Sequence, residues 1–63
     1  MTPKQFDTIE NRIATVNTAL LDLHEAVAAA GCAFQADAIF AGARRTCDEL
    51  AGLRQELRGK VER

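Results

Sequence analysis

At 63 residues the chain is one small unit, below the usual size of a self-sufficient domain. Its formal net charge of −1 gives it no long-range pull towards phosphate backbones or acidic membranes. Charges interrupt every apolar stretch well short of the roughly 18 to 20 residues of a membrane span, and no basic start leads into an apolar core. No membrane segment and no signal peptide are therefore expected, and the expected location is cytoplasmic. Alanine, leucine, glutamate, arginine and glutamine are plentiful, and Pro3 is the single proline. That composition favours helix.

Thr2-Pro3-Lys4-Gln5 has the form of a capping box, with the Thr2 hydroxyl facing the Gln5 amide and the Gln5 side chain reaching back. Pro3 falls at the first helical position, where its missing N–H is harmless. Asp7 and Glu10 are placed to favour the helix dipole. From there Phe6, Ile9, Ile13, Val16, Leu20, Leu23, Val27 and Ala30 recur at alternating spacings of three and four. This is the a/d seam of a heptad repeat, and it predicts one helix over about 3–30, with Gly31 as its natural stop.

Carrying the register past Gly31 puts Phe34, Asp37, Ala41, Arg44 and Asp48 on the seam, which destroys the stripe. A turn over about 31–34 resets the phase. The second helix is expected over about 34–58, with a stripe of Ala36, Phe40, Ala43, Cys47, Leu50, Leu57 and Val61 and with Ile39 and Leu53 on its flank. Arg54 breaks this stripe. Leu53 is expected to supply the apolar contact there while the Arg54 stem snorkels outward. Gly42 and Gly52 each cost about 1 kcal/mol relative to alanine, a tolerated cost or a sign of close backbone approach. Gly59 is expected to end the helix, leaving residues 59–63 as a frayed tail.

The expected fold is all-α, an antiparallel helical hairpin. Two helices joined by a turn do not enclose a core, so the hairpin is expected to dimerise, antiparallel, into a four-helix bundle. The dimer core is assigned to Phe6, Ile9, Ile13, Val16, Leu20, Leu23, Val27, Phe40, Cys47, Leu50 and Leu57. Bulky residues of helix 1 would interdigitate with Ala36, Ala43 and Cys47 of helix 2. If Cys32 and Cys47 share one helix they lie roughly 22 Å apart, so two reduced thiols are expected rather than an intrachain bridge.

Function must then lie outside the seam. Leu21, with Ala14 and Ala28 one heptad to either side, makes a thin second apolar stripe on the outer face of helix 1. Asn11, Ala14, Leu21 and Glu25, together with Arg44 and Arg45 of helix 2, form the candidate partner surface, suited to a partner helix or an acidic partner. The plainer reading of the helix 2 charges is a solvated face with i,i+4 pairs Arg44–Asp48, Arg45–Glu49 and Arg58–Glu62. The plainer reading of Leu21 is an ordinary exposed leucine. His24 stands beside the seam, where a boundary hydrogen bond is expected. No second ligand at metal spacing, no nucleophile with an orienting base and no phosphate loop accompany it. No cofactor, no metal and no enzymatic activity are expected.

Lys4-Gln5, Asn11, the stretch from Leu20 to Glu25, Gln35-Ala36-Asp37 and Asp48-Glu49-Leu50 resemble the Rop-like family of plasmid copy-number RNA-binding proteins. The helix 1 seam falls on that family's core positions. Those of helix 2 fit Ala36, Phe40, Ala43, Cys47, Leu50 and Leu57 with one residue inserted near the turn or early in helix 2. The resemblance implies a dimeric four-helix bundle that grips RNA through the paired first helices. Of the implied contacts, Lys4 and Asn11 match, and Arg12 adds a cation beside them. Thr15 stands where the family has an aromatic, and Ala19 and Ala26 replace a glutamine and a lysine. Helix 1 sets Lys4 and Arg12 against Asp7, Glu10, Asp22 and Glu25, an acidic balance that disfavours RNA. The expected function is a small regulatory or inhibitory protein, a homodimer that binds another macromolecule, a protein. The alternatives are a Rop-like RNA-binding regulator and a purely structural dimerisation module.

Overall fold

Two helices account for nearly all of the chain: α1 over Pro3–Ala29 and α2 over Ala33–Arg58. The structure, a computed structural model, describes residues 1–62. The capping box at Thr2 forms as its sequence predicts. The Gln5 amide donates to Thr2 Oγ1 at 3.1 Å, and the Thr2 amide donates to Gln5 Oε1 at 2.8 Å. Two orphan amides at the helix start are thereby satisfied. Neither Asp7 nor Glu10 lies in the first turn, so the expected dipole contribution is absent.

α1 stops because Gly31 takes a left-handed φ of 84°. The Gly31 amide donates to the Ala28 carbonyl at 3.0 Å and the Cys32 amide to the Val27 carbonyl at 3.3 Å. These are the two bonds of a Schellman cap, which needs a residue free to adopt positive φ. The turn runs over 30–32 rather than about 31–34, so α2 already begins at Ala33, one residue before Phe34. It is 89% exposed. Gly59 caps α2 as predicted, in right-handed conformation.

The tail departs from expectation. Residues 60–62 are tied back rather than frayed: the Glu62 amide donates to the Met1 carbonyl at 2.7 Å, and the Lys60 and Val61 amides bond to Leu57 and Arg58. Arg63, part of the expected tail, lies outside the described residues.

The hairpin is a ribbon of 49 × 16 × 7 Å with a radius of gyration of 14.7 Å. A globular chain of this length would have a radius of about 11 Å. Among the described residues only Phe6, Ala36 and Ala43 are buried. The two alanines have no bulk to hold the helices apart, and the larger α1 residues lie against them. Gly42 and Gly52 do not mark a close approach within the chain, since a Cβ at either would meet nothing within 4 Å.

Candidate functional site

Which half of the heptad faces the other helix decides what remains outside. In α1 the residues withdrawn from solvent are Phe6, Ile9, Glu10, Ile13, Asn17, Leu20, His24 and Val27. Apart from Ile9, a d residue near the start of the helix, these are the a and e positions. At ~100° per residue, e lies on one side of a and d on the other. The hairpin thus turns α1 towards e and leaves the d residues Val16 and Leu23 half-exposed.

Three cross-helix rungs hold this rotation, and each joins an e residue of α1 to one of α2. Glu10 accepts from Arg54 Nε at 2.6 Å and lies 2.6 Å from its terminal nitrogen Nη2. The Cys47 thiol donates to Asn17 Oδ1 at 3.1 Å. The His24 and Phe40 rings meet at 5.4 Å between centroids, tilted by 53°. Glu10, Asn17 and His24 are seven residues apart, as are Phe40, Cys47 and Arg54. The rungs therefore share one register along the ribbon. Arg58 reinforces the first rung, with its guanidinium 5.8 Å from the centre of the Phe6 ring and 3.9 Å from Glu10.

These rungs correct several expectations. Arg54 points at α1 and is held by Glu10, while Leu53 is the residue left half-exposed. A carboxylate at e offers the guanidinium a better partner than water at the ribbon edge. His24 meets an aromatic ring in place of a boundary hydrogen bond. None of the i,i+4 pairs Arg44–Asp48, Arg45–Glu49 or Arg58–Glu62 closes among the described residues; the pairs that do form are Glu10 with Arg54 and Arg58, and the N-terminus with Glu62. The rungs themselves had a signal in the sequence: polar or aromatic residues at e, repeated every seven positions in both helices, with opposite charges at one end.

The ribbon has two broad faces. Antiparallel helices turn corresponding heptad positions to the same side, so each face draws on both helices. One carries Ile9, Val16 and Leu23 of α1, all at d, with Ile39 and Leu53 of α2. Val16, Leu23 and Leu53 are among the exposed large apolar residues of the chain, and Ile9 and Ile39 are partly covered. Thr46 lies mid-stripe, and its hydroxyl donates to the Gly42 carbonyl at 3.0 Å. The polar atom is thus satisfied within the helix.

On the other face Leu20, Leu21, Phe40, Ala43, Cys47, Asn17 and Arg44 line a cleft of about 210 Å³. Its walls are almost wholly apolar. Leu21 and Phe40 are half-exposed at its mouth, and Arg44 has no ion-pair partner among the described residues.

The expected sites divide between these faces. The structure brings Leu21 and Arg44 together across the hairpin, with Ala14 one heptad along the Leu21 stripe. Arg45 falls on the outer side of α2, away from the cleft. Asn11, Glu25, Lys4 and Arg12 are exposed on α1 and outside the cleft lining. Phe40 and Cys47, expected in one core with Leu23, lie on the cleft side instead. Both cysteines are free, Cys32 exposed at the turn and Cys47 half-buried. No cluster of three metal-ligating side chains occurs among the described residues, and no helix is long and apolar enough to cross a membrane.

Compared with protein-family models, curated proteins and solved structures, the chain matches none. What it shares with the Rop-like family is therefore the architecture of a helical hairpin.

Proposed function

We propose that the chain is a non-enzymatic interaction protein, a homodimeric helical hairpin closing into a four-helix bundle, that binds and regulates or inhibits another macromolecule, a protein. The observation that carries the binding role is the cleft between Leu21 and Phe40 with the unpaired Arg44 on its rim. An apolar slot beside a free cation suits the apolar edge of a partner helix that also bears a carboxylate. The thin ribbon, with three buried residues among those described, supports self-association, because a hairpin of this kind buries too little on its own. Capture of partners from a host lysate with wild type and Leu21→Asp tests the binding role. Loss of a partner with the variant is the expected result; retention of every partner removes the cleft as the site.

A Rop-like RNA-binding role is the second reading, and one observation favours it over the bare charge balance. Glu10 is withdrawn into its pair with Arg54, so the outer side of α1 is less acidic around Lys4, Asn11 and Arg12 than the sequence implies. Asp7, Asp22 and Glu25 still oppose it. A gel shift with stem-loop RNA at low salt decides, and no shift at micromolar protein is expected. A purely structural dimerisation module predicts no partner in either assay.

A further inference from the structure

We propose that the second copy of the chain seats on the Ile9–Val16–Leu23 face, so that the dimer carries its two Leu21–Phe40 clefts on opposite outer sides. The inference rests on the homodimer reading and assigns the face that reading leaves open. A two-fold axis brings a patch against its own copy, so charge on the patch meets like charge. The stripe from Ile9 to Leu23, with Ile39, Thr46 and Leu53 beside it, carries no charge, and its one hydroxyl is already bonded to the backbone. Ala19, Ala26 and Gly42 flank it and leave room for close approach, while Arg12, Glu49 and Glu56 hold the remaining flanking positions at its outer edges. Its extent is suitable as well. A ribbon 49 by 16 Å offers roughly 800 Å² on a face, about what each partner contributes to a standard interface.

The cleft face lacks these properties. Asp37, Arg44 and Arg58 lie along it, and the Glu10–Arg54 pair closes one end. Self-stacking there would strip water from charges with no opposite charge assured across the axis. Stacking through the neutral face leaves the cleft face free on both copies. Each dimer then presents two identical clefts pointing away from each other, and binds two partner molecules.

Leu21→Asp and Leu23→Asp form a matched pair for the test, since both leucines are about half exposed and sit on opposite faces. Sedimentation with circular dichroism is expected to show wild type and Leu21→Asp as helical dimers. Leu23→Asp should raise the dimer dissociation constant at least about 100-fold, because two symmetry-related carboxylates would be buried unpaired. Dissociation by Leu21→Asp with Leu23→Asp unaffected overturns the face assignment and leaves the homodimer reading standing. A wild-type chain that sediments as a folded monomer removes both. Should Leu23→Asp lose its helix, a photo-reactive benzoylphenylalanine at position 23 or 21 of the otherwise native chain decides. A covalent dimer from position 23 alone is expected, the silent position 21 being what an outward cleft requires. Equal cross-linking from both positions, or cross-linking from position 21 alone, overturns the proposal.

Discussion

Leu21 and Leu23 are two positions apart, the same residue type, and almost equally exposed at 54% and 50%. Their surroundings differ in every other respect. Leu23 belongs to a stripe of aliphatic residues running the length of α1 and matched across the hairpin by Ile39 and Leu53. Leu21 is the mouth of one cleft, set among a polar rung, an aromatic ring and a free arginine. A long neutral stripe suits a flat partner of the same shape, whereas a short cleft with a cation suits one protruding side chain. Fractional exposure alone does not separate the two, because what defines an interaction surface is continuity and charge around the exposed residue.

Phe6→Ala should produce the largest loss and strike both faces together. Phe6 is the one large side chain buried among the described residues, and it also carries the Arg58 guanidinium. About 3 kcal/mol of stability should be lost in a denaturant titration, with partner binding and self-association weakened in parallel. An effect confined to one face would show that the seam does not join them.

Ala43→Leu should come next and act unequally. Ala43 is buried at the floor of the cleft, where added bulk both fills the slot and forces the helices apart. A cost of about 1 to 3 kcal/mol is expected, read as a lower thermal midpoint. Partner capture should fall further than dimerisation.

A smaller change is expected for Glu10→Gln. The Glu10–Arg54 pair is partly solvated, with the Arg54 side chain 44% exposed. Its loss should cost no more than about 1 kcal/mol and should reduce the dependence of the melting temperature on salt. A larger loss with unchanged salt dependence would mean that the rung acts by shape rather than by charge.

The smallest effect on hairpin stability should come from Leu21→Asp, within about 0.5 kcal/mol of wild type once dimerisation is accounted for. Its melting temperature should rise with protein concentration as wild type's does. A flat dependence would merge the two faces into one interface and remove the comparison.

Local features were legible in the sequence because each is built by neighbouring residues. Thr2 and Gln5 cap α1, Pro3 opens it, Gly31 ends it with its positive φ, and Gly59 closes α2. The break in heptad phase after Ala30 was enough to give two helices and a turn. The tail was misread as frayed because Lys60 and Glu62 are held by Met1, at the far end of the chain.

The sequence by itself determined that α1 has an apolar stripe, where that helix stops, and that a second helix follows out of phase. Only the tertiary structure decided how far each helix rotates about its own axis. A periodic pattern places residues around one cylinder, but it does not say which part of a broad stripe meets the neighbouring helix. That choice is made across the hairpin, where Ala36 and Ala43 admit α1 closely and Arg54, Cys47 and Phe40 meet Glu10, Asn17 and His24. The rotation turns e inward and leaves d partly to half exposed. One seam in the sequence thereby becomes a hairpin interface and a free neutral face.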